Sequence, residues 1–323
     1  MTKYIIRRLL LSIPVVFAMI LATFVLIQAL PGGPFDTVGE RAMPEHMRMI
    51  MEQRYGLDKP LYEQFFLYLK RLARGDLGPM MRLPSQTVND IVAQTFPVSF
   101  QLGILAVLLG FAIGIPAGII AALKHNTLLD YIATFVAVLG VSIPNLVLGP
   151  LLILVFGVYL KWFPIAFWGA DPPFILGLFP RPTAQFWHHA VLPTVTLGTG
   201  LSAVVARLTR AGLLEVLGED YIRTARAKGL RERVVILRHA LKNSLIPVAT
   251  ILGPLLAGIL TGTFIVEQIF ALNGMGRRFV NSVSEREYFL LTSLTLIYGV
   301  MLVLGNLMVD IMYAWLDPRI RYD

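Results

Sequence analysis

Residues 219–247 read EDYIRTARAKGLRERVVILRHALKNSLIP, and this stretch decides how the chain can fold. It holds seven basic residues, and Arg207 and Arg210 just before it bring the number to nine. Long apolar runs lie on both sides, at residues 191–214 and 245–266. Because a segment with this many charges is costly to place in hydrocarbon, we expect a polar hairpin that leaves the bilayer and contacts something outside it.

Composition places the whole chain among membrane proteins. Of 323 residues, 56% are hydrophobic and 15% are charged, far from the balance of an ordinary soluble domain. The net charge of +8 reflects basic residues in short loops between apolar runs, which indicates membrane topology and not nucleic-acid binding. The chain has no cysteine, which excludes disulfides, cysteine-ligated zinc, iron-sulfur clusters and thiol nucleophiles.

Apolar runs long enough to cross about 30 Å of hydrocarbon predict an all-α polytopic membrane protein. There are six, at residues 9–30, 98–123, 129–159, 191–214, 245–266 and 289–315. The first follows three basic residues, as in a signal peptide. We favour an uncleaved span, because the run is too long for a signal peptide and lacks a clear A-x-A cleavage site.

Basic residues predict that both termini are cytoplasmic, since short cytoplasmic loops are enriched in Lys and Arg. With the N-terminus inside, the cytoplasmic segments hold 15 basic residues and the short outer loops hold five. The cytoplasmic set is Lys3, Arg7, Arg8, Lys124, the nine of the hairpin region, Arg319 and Arg321. The outer set is Lys161, Arg181, Arg277, Arg278 and Arg286.

Residues 31–97 are predicted to form a small structured insertion on the outer side, between a first span at 1–30 and a core of the five other spans at 98–323. Within it, LYEQFFLYLKRLA places Leu61, Phe65, Leu69 and Leu72 at helical spacing. This apolar face either packs on the chain's own spans, which we favour, or lies in the membrane interface.

Small residues predict close helix contacts in two spans. Gly110, Gly114 and Gly118 form one series, and Gly258 with Gly262 forms another. Such spacing lets backbones approach closely. We favour packing within the chain over packing between subunits.

A proline-containing stretch in the third span is the candidate lining of a path through the membrane. It is VSIPNLVLGP at 141–150, with Ser142, Pro144 and Asn145. Broken helix at membrane depth is tolerated where it is buried or beside a watery cavity. A plain proline kink explains the same pattern.

Catalytic motifs are absent from the sequence. No Gly is followed by Lys, so there is no Walker A loop, and no zinc-protease motif occurs. His188 and His189 are adjacent, which on a helix points the two rings apart and argues against a metal site. Asp310 lies in the last span near its polar end, where pairing with an arginine is favoured over a proton relay. We therefore expect a protein that is not itself an enzyme.

The hairpin has the pattern of two short helices. Asp220 is a good N-cap and Gly229 a good left-handed stop, framing a helix at 221–228. A second helix is predicted at 232–244, and Pro247 opens the next span. The apolar positions of the second helix are Val234, Val235, Leu237 and Leu241. Binding to anionic lipid headgroups is the alternative use of such a basic segment, but it would not require this order of cap, helix, stop and helix.

This hairpin, at 215–245, resembles the EAA loop of bacterial ABC importer permeases. Counting from Gly229, Leu241 falls at the loop's leucine, whereas Arg223, His239 and Lys242 depart from its general pattern. YIRTARAKGL followed by LRHALKNSLIPV resembles the peptide and nickel branch instead. Across the chain, YIIRRLLLSIP, PFDTVGERAMP, LARGDLGPM and DPRIRY are most similar to an OppB-type first membrane subunit of oligopeptide permeases.

The resemblance implies a type I ABC importer permease in the bacterial inner membrane, which imports oligopeptides or dipeptides or, alternatively, nickel chelates or another small solute. It implies three kinds of partner: a second permease subunit, two cytoplasmic ATPase subunits and an extracytoplasmic substrate-binding protein. ATP and Mg would be bound by the ATPases, with no cofactor in this chain. The implied coupling helix places these residues in an ATPase cleft: Asp220, Tyr221, Arg223, Thr224, Ala225, Arg226, Lys228, Gly229 and Leu230.

The loop after the fifth span is the candidate contact with the binding protein. Its turn contains Asn273, Gly274, Met275 and Gly276, and an ordinary turn is the other interpretation. A proton-coupled peptide transporter is the competing function. It would require titratable groups deep in the spans and no hairpin to dock a motor, so we disfavour it.

Overall fold

The computed structural model describes residues 2–29, 32–35 and 44–316, and this part of the chain is built of helices. They are α1 Thr2–Gln28, α2 Glu45–Tyr55, α3 Leu61–Leu72, α4 Val88–Leu123, α5 Leu128–Ser142, α6 Asn145–Leu152, α7 Ala184–Leu217, α8 Asp220–Ala227, α9 Glu232–Val234, α10 Leu241–Ser244, α11 Ile246–Leu260, α12 Phe264–Ile269, α13 Met275–Glu285 and α14 Tyr288–Leu316. Ile153–Tyr159 and Val235–Ala240 wind as wider π-helices. The DPRIRY tail and most of PFDTVGERAMP lie outside the described residues.

Five stretches are long and apolar enough to cross a membrane: Ile5–Gln28, Val88–Leu123, Ala184–Leu217, Ile246–Ile269 and Tyr288–Met312. The predicted third span is not one straight helix. It breaks into Leu128–Ser142 and Asn145–Tyr159, which meet at an angle of 100°. The break falls at Pro144, which has no backbone N–H to give to a continuing helix. Counted as one broken span, the pair makes six, while the orientation of the termini stays a prediction.

The core of the fold is the close packing of α4 on α7. Gly110 and Gly118 face α7, and a Cβ at Gly118 would lie 2.5 Å from the carbonyl oxygen of Ala206. Gly114 meets the backbone of Ser202 in the same way. The favoured prediction of packing within the chain is thus confirmed for the α4 series. In the second series, Gly262 lies just after α11 and contacts Gly276, but Gly258 of α11 faces open space.

Helices α1 and α14 lie side by side. Arg8 in α1 and Asp310 in α14 form an ion pair of 2.9 Å, with the Asp310 side chain 12% exposed. This geometry confirms an arginine-paired carboxylate.

The insertion packs against α1 and α14. In α3 the buried residues are Phe65 and Tyr68, at 7% and 3% exposure. The predicted apolar face is partly wrong, because Leu61 is 54% exposed and the buried stripe is centred on Phe65 and Tyr68. Helix α4 begins at Val88, so the last ten residues of the predicted insertion are the start of that helix.

Hydrogen bonds at two side chains, Glu287 and Ser293, fasten the insertion to the start of α14. The buried Glu287 carboxylate accepts the backbone N–H groups of Met81 at 2.9 Å and Arg82 at 2.7 Å. Ser293 donates to the carbonyl of Leu77, and Tyr68 donates to Ser293. Burial raises the pKa of Tyr68 to about 12, so its hydroxyl stays a donor at neutral pH.

Candidate coupling site

Helix α8 is fixed to the ends of two spans. Its Ile222 and Ala225 are buried, and they share a hydrophobic cluster with Leu213 of α7 and Ala122 of α4. Val235 and Ala240 of the following π-helix complete this cluster at 0% exposure each. A force applied to α8 would therefore reach α4 and α7 through close-packed side chains.

The ends of α8 differ in part from the sequence prediction. The helix begins at Asp220, and its N-cap position is Glu219, which makes no side-chain capping bond. Asp220 as the N-cap is therefore wrong; its carboxylate lies 3.4 Å from Arg223 in the first turn, where the helix dipole favours an anion. The predicted stop is confirmed, since Gly229 has a φ of +75°.

The second helical segment of the hairpin is interrupted. Residues 235–240 form a π-helix, which shifts the side chains that follow relative to an α-helical pattern. Val235, Ile236 and Ala240 are buried, whereas Val234 and Leu237 are 37% and 51% exposed. The predicted apolar face of the 232–244 helix is therefore wrong at Val234 and Leu237. Pro247 does open α11, as predicted.

An ion pair closes the hairpin. The Arg226 guanidinium donates two hydrogen bonds to Glu232, at 2.7 Å and 3.2 Å. The pairing lowers the pKa of Glu232 and raises the pKa of Arg226. Since both side chains are largely exposed, we expect the pair to help set the shape of the hairpin and to add little to the stability of the protein. Asn243 adds a second tie by donating to the Tyr221 hydroxyl at 2.9 Å.

The structure divides the predicted coupling residues into two groups. Ala225 faces α7 and α4, so it does not belong to an outer contact surface. The others are exposed on the hairpin: Asp220, Tyr221, Arg223, Thr224, Arg226, Lys228, Gly229 and Leu230. Val234 and Leu237, which the sequence pattern placed inside, join this exposed surface.

Sequence reasoning missed the contacts that fix the base of the hairpin. A Cβ at Gly212 would lie 2.5 Å from the carbonyl oxygen of Ser244, so α7 and α10 touch through backbone. Arg210, counted only as a cation, donates two hydrogen bonds to the buried Asp130 of α5. The sequence carries no local signal for either contact, because both join residues distant along the chain.

The path candidates lie at the break between α5 and α6. Ser142 and Pro144 are exposed and Asn145 is partly buried. Ser142 lines a cavity of about 180 Å³ between α4, α5 and α7, which also contains Arg207. The break exceeds a plain proline kink, but its role in a path stays a prediction.

The candidate binding-protein loop is built around a carboxylate that sequence reasoning overlooked. Glu267 is fully buried and accepts hydrogen bonds from the Ser99 hydroxyl and the Arg277 N–H, both at 2.7 Å. A Cβ at Gly274 would lie 2.2 Å from the Glu267 carboxyl carbon, which explains that glycine. Glu267 follows directly after the predicted end of the fifth span, so its position in the sequence does not indicate burial.

Burial limits which residues of this loop can contact another protein. Gly274, Met275 and Gly276 are buried, which corrects their placement in a contact surface, whereas Asn273 is exposed. Contact through Asn273 stays a prediction.

The paired histidines bond to backbone. His188 Nε2 lies 2.6 Å from the carbonyl of Trp162, and His189 Nδ1 lies 2.8 Å from that of Gln185. Within the described ranges, no group of three or more His, Asp or Glu side chains is placed to hold a metal ion.

Family models match nearly the whole length of the chain. Residues 114–322 match the model described as binding-protein-dependent transport system inner membrane component. The chain belongs to this family. Residues 1–102 match the N-terminal model of the same kind of membrane component, so α1 and the insertion are part of the family pattern.

Two curated relatives of this inner membrane component are similar over their full length. The dipeptide transport system permease protein DppB of Bacillus subtilis is 44% identical over 321 residues, covering 99% of this chain and 98% of the relative. The oligopeptide transport system permease protein OppB of Salmonella typhimurium is 44% identical over 322 residues, covering 100% of both chains.

A solved structure supports the fold of this family member. A chain of the MetNI methionine ABC transporter, in an inward-facing conformation, aligns with a TM-score of 0.50 at 16% identity. The alignment covers 67% of this chain and 93% of that one. The chain is thus an all-α inner membrane component with the fold of an ABC importer permease.

Proposed function

We propose that this chain is the membrane-spanning permease subunit of an ATP-driven importer of oligopeptides or dipeptides. It would form half of the translocation path with a second permease subunit, and receive its cargo from an extracytoplasmic binding protein. Relatives with 44% identity that are named as dipeptide and oligopeptide permeases support the cargo class. Nickel chelate or another small solute is the alternative within the same family.

The observation that supports this proposal most directly is the packing of α8 on α4 and α7. Its buried side, Ile222 and Ala225, is packed on α4 and α7, and its other side is exposed. That is the arrangement needed to seat a rigid helix in a cleft of a cytoplasmic ATPase. Closing of the ATPases would move α8 with both spans as one body and switch access to the path.

ATP and Mg would be held by the two partner ATPase subunits, and this chain would supply no catalytic residue. ATP-driven closure has to favour one access state by several kcal/mol to shift the population decisively. The contact surface for the ATPase would be basic, with Arg223 and Lys228 on its exposed side.

Replacement of Gly229 tests the coupling role. Gly229 has a φ of +75° and no atom within 4 Å of an added Cβ, so a substitution strains the backbone without a clash inside the chain. Asn tolerates this conformation and Val does not. In the reconstituted complex we expect Gly229→Asn to keep peptide uptake per ATP hydrolysed, and Gly229→Val to hydrolyse ATP with little uptake.

Gly75 offers a matched control for backbone strain. It has the same φ of +75° and the same open surroundings, but lies in the insertion. Gly75→Val should leave the ratio of uptake to hydrolysis unchanged. Normal uptake by Gly229→Val, or uptake that survives ATP depletion but collapses with the proton gradient, would count against an ATP-driven importer.

A further inference from the structure

One cation of the insertion sits in a cavity without a partner. Arg71 of α3 points into a small, partly open cavity of about 40 Å³ between α1, α3 and α14. Its Nη1 atom is buried and makes no hydrogen bond, and the structure gives Arg71 no ion pair within the described ranges. The guanidinium lies 5.4 Å from the ring centroid of Phe289, so an aromatic face holds it in place.

The polar groups around Arg71 are satisfied by the chain itself. Tyr55 donates to the carbonyl of Met80, and Gln64 donates to the carbonyls of Leu57 and Lys59. Tyr68 and Thr292 also have partners. Within the described ranges the chain provides no acceptor for Arg71 Nη1, and a buried, unpaired guanidinium N–H is costly.

The cavity lies where two spans end, which is the level expected for lipid headgroups. Its walls include the ends of two spans, Ile27 and Gln28 of α1 and Tyr288 and Phe289 of α14. Helix α3 runs beside the half of α1 that leads to Gln28. Phe65 contacts Phe24 at 5.3 Å and also Phe17, halfway along the span.

The other side of α3 suits acyl chains. Tyr62 and Phe66 are 64% and 66% exposed, and Leu61 is exposed beside them. An exposed apolar surface on a helix that lies against a span is expected to face lipid.

We propose that this cavity binds the phosphate of an anionic phospholipid headgroup, with Arg71 as the ligand of the phosphate oxygens. Arginine is suited to this, because its planar donors match phosphate oxygens. Among the residues that the structure describes, the cavity lining contains no carboxylate that would receive the ammonium group of a phosphatidylethanolamine. The lipid is therefore of the phosphatidylglycerol type. This inference does not depend on the transported cargo.

Native mass spectrometry of the full-length protein, extracted into detergent with equal amounts of phosphatidylglycerol and phosphatidylethanolamine, tests the site. We expect wild type to retain phosphatidylglycerol in preference, and Arg71→Gln to retain about tenfold less. Lys70→Gln removes the neighbouring exposed cation and should behave as wild type. Equal retention by Arg71→Gln, or an equal loss in Lys70→Gln, would overturn the proposal.

Two further measurements keep the test decisive. The lipid preference of wild type needs no variant, so wild type that retains both lipids equally overturns the proposal even where Arg71→Gln fails to fold. Thermal unfolding with inorganic phosphate alone distinguishes the source of the anion. If phosphate stabilises wild type as much as the lipid does, and Arg71→Gln does not respond, the ligand is a free anion and the lipid assignment is wrong.

Discussion

Arg210 of α7 holds Asp130 of α5 through two parallel hydrogen bonds, Nε to Oδ1 at 2.7 Å and an Nη2 to Oδ2 at 2.8 Å. The Asp130 side chain is 3% exposed, and its carboxylate also accepts from the Asn126 N–H and the Thr134 hydroxyl. Arg210 precedes Leu213, which packs under α8, by one turn. The pair therefore joins the broken span to the helix that supports the hairpin.

Removing the guanidinium should destabilise the protein, because Asp130 would stay buried without its cation. For Arg210→Met we expect a loss of about 3 kcal/mol, seen as a lower thermal unfolding midpoint of the protein in detergent. Arg207→Met is the matched control, since Arg207 is one turn away on α7 and exposed. Equal midpoints for the two variants would show that the pair adds no stability.

The hairpin shows how far the sequence predicts this site. Gly229 and Pro247 were placed correctly, because a left-handed stop and a proline at a helix start are local properties of the chain. The partner of Arg210 was not found, since Asp130 lies 80 residues away and only tertiary packing brings them together. The prediction that Leu237 lies on the apolar face was wrong. Residues 235–240 form a π-helix, which has no clear sequence signature and shifts the buried face of the segment.

The packing of α4 on α7 predicts opposite results for two glycines. Gly118→Ala would place a Cβ 2.5 Å from a backbone oxygen, whereas nothing lies within 4 Å of a Cβ at Gly258. We expect Gly118→Ala to cost about 1–3 kcal/mol or more and to lower expression, since the backbone cannot move aside. Gly258→Ala should be neutral or slightly stabilising through its helix propensity.

Thermal unfolding and size-exclusion chromatography check this pair. Wild-type stability in Gly118→Ala would show that the two helices are less tightly packed than the structure has them. A stable Gly258→Ala chain that fails to assemble would place a partner helix on that face of α11.

Glu267 should control the order of α13. In Glu267→Gln, one of the two accepting oxygens becomes an NH2 donor, which would face either the Ser99 hydroxyl or the Arg277 N–H, and both of these donate to Glu267. At least one buried group would then stay unpaired, at a cost of about 1–3 kcal/mol. Hydrogen exchange should become faster across Met275–Glu285, and Glu285→Gln, an exposed change on the same helix, is the control. The same exchange in both variants would contradict this role.

The outer loop shows a second limit of sequence reasoning. NGMG at 273–276 resembles an exposed turn, because glycine and asparagine favour turns. In the structure, no side chain fits at Gly274 or Gly276. The Glu267 carboxylate occupies the space at Gly274, and the backbone at Gly262 and Phe264 occupies the space at Gly276. Glycine is required at these positions because of neighbours in space, and the spacing of residues along the chain does not reveal such neighbours.

Glu287 should make stability depend on pH. Burial raises the pKa of Glu287 above its ordinary value, although the N–H groups of Met81 and Arg82 oppose that shift. The folded protein then binds this proton more tightly than the unfolded chain does. Its contribution to stability is greatest below the unfolded pKa and is lost as the pH rises through the folded pKa.

Comparison of wild type with Glu287→Gln isolates this effect from the other carboxyl groups. We expect the difference in thermal midpoint between the two proteins to change as the pH rises from the ordinary carboxyl pKa of 4.5, with wild type losing relative stability. Above the folded pKa the charged carboxylate still accepts two N–H groups, which a glutamine cannot match, so wild type keeps its fold there. A difference in midpoint that is constant across this window would mean that Glu287 titrates alike in the folded and unfolded chains.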